Sequence, residues 1–171
     1  MRKTRTLAAA LAIAGIAAFA GPAQATTTGD QIVSGVTAST LALGISTPAV
    51  TLLNFAPGST ASGSGALLVT STNPWTLKVA DGTGNAGHLA AAALGCTGSE
   101  ASTSNAVGVT STGLLGGTAS SGLKTISGVA QTVATGAFSD TVTNAYSLLI
   151  GSSESMLTGC AYTTTATYTV Q

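Results

Sequence analysis

The end of the chain alternates in a way that suits only one backbone conformation. From position 162 to 170, threonine occupies every odd position, while the even positions carry Tyr162, Thr164, Ala166, Tyr168 and Val170. A period of two places these two sets on opposite faces of a β-strand, whereas a helix would mix them. The pattern therefore predicts a strand whose inward face carries Tyr162 and Tyr168. The segment 142–150 shows the same period, which predicts a second such strand.

Shorter segments with the same character lie along the rest of the chain. Residues 75–79 alternate cleanly, with Trp75, Leu77 and Val79 on one face, and further strands are predicted at 41–45, 49–55, 66–70, 107–110, 123–126 and 129–134. Loops are predicted at 57–65, 82–87 and 151–154, and residues 88–94 have a helix-forming composition. Seven to nine short strands with one apolar face predict an all-β fold. The expected architecture is an antiparallel two-sheet β-sandwich of immunoglobulin-like type.

The first residues have the pattern of a secretory signal peptide. Met1-Arg2-Lys3-Thr4-Arg5 is basic, residues 7–20 are apolar, and Ala23-Gln24-Ala25 is a small-x-small cleavage site. The apolar run is shorter than the about 20 residues of a membrane span. We therefore expect cleavage between Ala25 and Thr26 and export of the product. The expected organisation is a signal peptide at 1–25, an N-terminal segment at 26–39 and a sandwich domain at 40–171.

The charge of the exported part disfavours two classes of partner. It keeps two basic residues, Lys78 and Lys124, against five acidic ones, a net charge of −3. So few basic side chains disfavour binding to nucleic acid or to an anionic bilayer. After cleavage we expect no integral membrane segment. Serine and threonine make up 47 of the 146 residues after position 25, so the surface is expected to be polar yet nearly uncharged.

Two cysteines in an exported protein are most simply a disulfide, so we expect Cys96 to pair with Cys160. The alternative is a pair of buried thiols. Trp75 is expected in the core between the sheets. Its alternative role is a stacking platform for a sugar ring.

Catalytic and cofactor motifs are weak in this sequence. Residues 82–87 contain a literal G-x-G-x-x-G, but the strand before it alternates, whereas a parallel strand of a dinucleotide-binding fold is apolar on both faces. Asp81, Thr83 and Asn85 are spaced like the start of a calcium loop that lacks its closing acid. His88 is the single imidazole, and no serine lies in a G-x-S-x-G motif. We expect no catalytic residues, no metal, no cofactor and no enzymatic activity.

Two segments resemble a known family. Residues 74–81, which include Trp75 and Leu77, resemble the first Trp-x-Leu motif of the WxL family of Gram-positive surface proteins. The threonine-rich end, with Tyr162, resembles that family's closing strand, and Tyr168-Thr169-Val170 stands where the family has a second Trp-x-Leu. The resemblance implies a secreted β-sandwich held non-covalently on peptidoglycan. The Ala/Gly/Thr-rich composition is typical of an actinobacterial protein.

The resulting functional hypothesis is a secreted, non-enzymatic protein of the cell envelope. Its expected partners are peptidoglycan or another envelope glycan, or neighbouring proteins at the surface, contacted through many weak hydrogen bonds. The alternative is a self-assembling subunit of a surface fibre or coat, because few charges protect the strand edges.

Overall fold

The computed structural model describes residues 38–171 apart from 92–100 and 158. The predicted signal peptide, its cleavage site at Ala25 and Thr26, and Cys96 therefore lie outside the described residues. The described part falls within one compact unit, Thr37–Gln171. It contains strands and no helix, which confirms the predicted all-β class.

The described residues form twelve strands. They are β1 (Leu41–Ile45), β2 (Thr60–Ser71), β3 (Trp75–Asp81), β4 (His88–Ala91), β5 (Ser102–Ala106), β6 (Gly108–Thr112), β7 (Thr118–Ala119), β8 (Lys124–Thr125), β9 (Gln131–Gly136), β10 (Asp140–Leu149), β11 (Tyr162–Thr163) and β12 (Ala166–Val170).

All strand pairs are antiparallel, as the sandwich prediction requires. The first sheet has the order β1-β2-β10-β6-β8, and the second has the order β12-β3-β9-β7. A small third sheet, β11-β4-β5, was not anticipated from the sequence. The long strands β2 and β10 form the centre of the first sheet, with ten residue pairs from Asp140↔Val69 to Leu149↔Thr60.

One apolar core joins the two main sheets. The first sheet contributes Leu67, Val69, Val109, Val142 and Leu148, and the second contributes Trp75, Leu77, Val79, Val133 and Ala134. In β2, β3 and β10 these residues recur at every second position, so the alternation that predicted β3 and β10 is the burial pattern of the structure. In β9 the adjacent residues Val133 and Ala134 are both buried. The predicted inward face of β10 is confirmed, including Asn144, whose side chain is fully buried.

Four local predictions were wrong. Residues 49–55 form no strand beyond an isolated bridge between Leu53 and Ser62. Residues 60–65, predicted as loop, belong to β2, and the start of the predicted helical segment 88–94 is strand β4. The closing strand is interrupted after Thr163, so β11 and β12 pair in different sheets.

Close packing explains the error at residues 60–65. Gly63 and Gly65 face inward on β2, where segment 47–52 passes over them. A Cβ at Gly63 would lie 2.6 Å from the Thr51 carbonyl oxygen, and one at Gly65 would lie 2.8 Å from a Val50 methyl carbon. These glycines make room for a neighbouring chain segment, although in sequence they look like a turn.

Candidate functional site

The two segments that carry the WxL resemblance lie side by side. β3 and β12 are antiparallel neighbours in the second sheet, with Tyr168 opposite Val79 and Val170 opposite Leu77. Tyr162 lies apart from them, in β11 of the third sheet, where its ring centroid is 5.5 Å from that of Phe55. Of the five residues that carry the resemblance, the fold therefore brings four onto one pair of strands, namely Trp75, Leu77, Tyr168 and Val170.

Trp75 is a core residue. It is 2% exposed, and its indole Nε1 donates a 2.7 Å hydrogen bond to the backbone oxygen of Phe138. Burial to this degree leaves no ring face open to a sugar, so the stacking-platform alternative is not supported. The prediction that Trp75 packs with Leu77 and Val79 is confirmed.

Tyr146 of β10 and Tyr168 of β12 connect the two main sheets. Their hydroxyl oxygens are 2.7 Å apart. The pKa of Tyr146 is raised, because the effect of burial is larger than the opposing effect of hydrogen bonds with Tyr168 and Asn144. Burial, together with the neighbouring Tyr146 hydroxyl, also raises the pKa of Tyr168. Both side chains are therefore neutral hydrogen-bonding groups at physiological pH.

The outer side of the second sheet is a surface of hydroxyl groups. We call it the threonine face. It is formed by the outward residues of four strands, Thr76, Lys78, Ala80, Thr118, Thr132, Thr135, Thr167 and Thr169.

Strand pairing brings these threonines into rows. Thr169 lies opposite Lys78, which lies opposite Thr132. Thr76 lies opposite Thr135, which lies opposite Thr118. Lys78 supplies the single charge among the outward residues that define the face. The sequence revealed the threonines of the closing strand, but not those that β3, β7 and β9 place beside them.

The described acidic side chains Asp81, Asp140 and Glu154 accept hydrogen bonds that hold loops and turns in place. Asp140 is 5% exposed and accepts hydrogen bonds from the backbone N–H groups of Leu115, Gly116 and Gly117 at 2.9–3.0 Å. Burial alone would raise the pKa of Asp140, but these bonds and one from Thr141 outweigh it and lower the pKa. The carboxylate thereby stabilises the loop before β7.

Glu154 has a similar arrangement. One carboxylate oxygen accepts bonds from the backbone N–H groups of Ser104 and Gly151 and from the Ser104 hydroxyl. Burial would raise the pKa of Glu154, yet these hydrogen bonds lower it overall. Its role is to join the turn after β10 to β5.

The glycine-rich loop after β3 is closed by Asp81. Its Oδ1 accepts hydrogen bonds from the backbone N–H and hydroxyl of Thr83, at 2.9 and 2.7 Å. Burial would raise the pKa of Asp81, but these and further bonds from Gly87 and Thr164 lower it to about 2. Strand β4 follows the loop, which contradicts the strand-loop-helix order of a dinucleotide site.

The remaining candidates for chemistry are dispersed. The Nδ1 of His88 lies 2.7 Å from the Thr103 carbonyl oxygen, so this imidazole is held by the backbone of β5. Among the described residues, no three or more His, Cys, Asp and Glu side chains form a group that could hold a metal ion. The described residues also contain no helix long and apolar enough to cross a membrane.

Cys160 lies beside the start of β11 and is not a free thiol. Because Cys96 lies outside the described residues, the Cys96–Cys160 pairing stays a prediction.

Comparison of the chain with protein families, with curated proteins and with solved structures found no match.

Proposed function

We propose that this chain is a secreted, non-enzymatic β-sandwich protein of the cell envelope that binds a neutral glycan, with peptidoglycan as the candidate ligand. The threonine face is the proposed binding surface. The observation that carries the proposal is the alignment of threonines from β12, β3, β9 and β7 on one side of one sheet.

The geometry of a sheet suits a polyhydroxyl ligand. Hydroxyl groups on such a face repeat about 4.8 Å across neighbouring strands and roughly 6.8 Å along each strand. Each can donate and accept, as sugar hydroxyl and acetamido groups also can. A single hydrogen bond contributes only about 0.5–1.5 kcal/mol net, so useful affinity requires many of them at once. A regular array on a rigid sheet provides that multiplicity at little entropic cost.

Charge complementarity also favours a neutral ligand. The face carries one charge, that of Lys78, and the exported part has a net charge of −3. Attraction to anionic wall polymers is therefore not the driving force of this binding, and salt should weaken it little.

The experiment is sedimentation of the purified exported protein with peptidoglycan from which anionic polymers have been stripped, at low and high salt. We expect binding at both, with no release of soluble wall fragments. The combined variant Thr76→Val, Thr167→Val and Thr169→Val removes three hydroxyls from the face with little change in shape. It should bind markedly more weakly.

The matched control is Thr112→Val, Thr141→Val and Thr143→Val, three outward positions on the first sheet. It should bind like the unmodified protein. Equal loss in both variants, or no sedimentation at either salt, would contradict the proposal. Release of soluble fragments would indicate an enzyme instead.

A second candidate function is self-assembly through open strand edges. β1 and β12 are edge strands of the two main sheets, and neither contains a charge or a proline. Leu41 and Ile45 of β1 are 46% and 55% exposed. Edges of this kind can accept a strand from another molecule.

Sedimentation velocity without wall material tests this alternative. If the protein self-assembles, oligomers should become larger as the protein concentration rises. The variant Ala42→Lys, which places a charge on β1, should abolish these oligomers. A monomer at all concentrations would leave wall binding as the function of the protein.

A further inference from the structure

A large cavity, partly open to solvent, lies next to the edge strands β1 and β12. Its volume is about 680 Å³, within the roughly 300–1,000 Å³ range of small-molecule sites. Its opening to solvent gives a ligand a route of entry.

The wall of the cavity is built from several elements. β2 contributes Leu67, segment 47–52 contributes Val50 and Leu52, and β12 contributes Ala166 and Tyr168. Segment 47–52 is held tightly against β2, because Gly63 and Gly65 have no side chains to keep it away. The wall is therefore a packed part of the fold.

The described lining of the cavity favours an uncharged ligand. No described residue that lines the cavity is an aspartate, glutamate, lysine, arginine or histidine. An ionised group placed against this lining would lose hydration without gaining a charged partner among the described residues, so an ionised ligand is disfavoured. Most lining side chains are aliphatic or aromatic, so each methylene group that leaves water for the cavity favours binding.

The Tyr146–Tyr168 hydroxyl pair supplies a polar group to this cavity, which both side chains line. Each hydroxyl has one proton and two lone pairs, so their mutual bond leaves acceptor capacity and a proton for another partner. Burial keeps both phenols neutral. An alcohol or ester oxygen could bond to this pair while its chain fills the apolar space.

We propose that the cavity binds an uncharged lipid-like molecule, a single acyl chain with an alcohol or ester group that bonds to the Tyr146–Tyr168 pair. This site is independent of the threonine face. Ala166 and Tyr168 point inward from β12, while Thr167 and Thr169 of the same strand point outward.

The first test uses the neutral dye Nile red with the purified exported protein. We expect a saturable rise in fluorescence that a medium-chain monoacylglycerol reverses. Ala166→Leu adds volume inside the cavity and should weaken binding by roughly tenfold. The matched control Ala145→Leu makes the same change on the exposed outer side of β10 and should leave binding within about twofold.

A second variant keeps the test decisive if Ala166→Leu does not fold. Tyr168→Phe removes one hydroxyl without adding volume. It should weaken monoacylglycerol binding several-fold while dye binding stays the same.

Three results would overturn the proposal. They are the absence of saturable dye binding, equal binding by folded Ala166→Leu and Ala145→Leu, and saturation that coincides with dimer formation in sedimentation. The last would assign the cavity to a second copy of the chain. None of these results depends on wall binding, so the two proposals can fail separately.

Discussion

The indole ring of Trp75 lies directly over Gly136, its register partner on the neighbouring strand β9. A Cβ on Gly136 would be 2.6 Å from Cε2 of the ring. The ring cannot move aside without losing the bond from its Nε1 to the Phe138 oxygen. The widest side chain of the core thus requires a residue with no side chain opposite it.

We therefore expect Gly136→Ala to destabilise the protein by about 1–3 kcal/mol, as overpacking of a core does. Urea unfolding followed by Trp75 fluorescence measures it. The control is Gly128→Ala, because nothing lies within 4 Å of a Cβ at that position. Equal unfolding midpoints for the two variants would contradict this account of the Trp75–Gly136 contact.

Truncation of Trp75 itself should have a larger effect. We expect Trp75→Ala to cost about 3–5 kcal/mol, the range for large buried aromatic residues. Trp75→Phe should cost less, because it keeps most of the apolar contact but leaves the Phe138 oxygen without its donor. Circular dichroism melting measures both. An unchanged melting temperature in Trp75→Ala together with lost glycan binding would restore the stacking-platform role.

The Cys96–Cys160 disulfide is a prediction that peptide mapping can test. Under non-reducing conditions the two cysteine peptides of the exported protein should appear linked. Closing a loop of this length contributes roughly 4 kcal/mol in the chain-entropy model, so reduction should lower the melting temperature. Rapid alkylation of both thiols in the folded protein would show that the bridge is absent.

Cleavage of the signal peptide is tested by intact mass. The protein recovered outside the cell should begin at Thr26, because Ala23 and Ala25 form the cleavage site. Ala25→Arg should block processing, whereas Gln24→Arg changes the intervening position of the same site and should be processed. An extracellular protein that still begins at Met1 would end the argument for a cleaved signal.

Alternating apolar residues located two strands of the core correctly. β3 and β10 lie at the predicted positions because their inward residues, such as Leu77 and Leu148, are apolar. The prediction failed at Gly63 and Gly65, where the reason for glycine is contact with segment 47–52. Contacts between residues distant in sequence are not visible in a local pattern.

The candidate sites were also only partly predictable from local sequence. The threonines of β12 were visible as an alternating run, but their continuation onto β9 and β7 depends on strand pairing. The Tyr146–Tyr168 bond joins strands of different sheets, and the cavity beside it forms only when those sheets pack. Both features follow from tertiary structure, so composition and spacing could not reveal them.

The pH dependence of stability should reflect Asp140. The backbone N–H bonds of the Leu115–Gly117 loop lower its folded pKa below the ordinary value of 3.8. A lowered folded pKa means that the native state favours the ionised form. This contribution is complete above roughly pH 4 and is lost as the pH falls through the folded pKa. Unfolding in urea at a series of pH values should therefore show stability decreasing below about pH 4.

Asp140→Asn removes the titrating carboxylate. The amide NH2 group that replaces one carboxylate oxygen cannot accept hydrogen bonds from the backbone N–H groups of the loop. The variant should be less stable than the unmodified protein at neutral pH, and its stability should decrease less steeply in acid. Part of the decrease in stability with falling pH should remain, because the pKa values of Asp81 and Glu154 are also lowered. The control Thr141→Val changes a neighbouring exposed side chain that does not titrate, and it should keep the full slope. If Asp140→Asn and Thr141→Val show the same dependence on pH, Asp140 does not stabilise the loop through its charge.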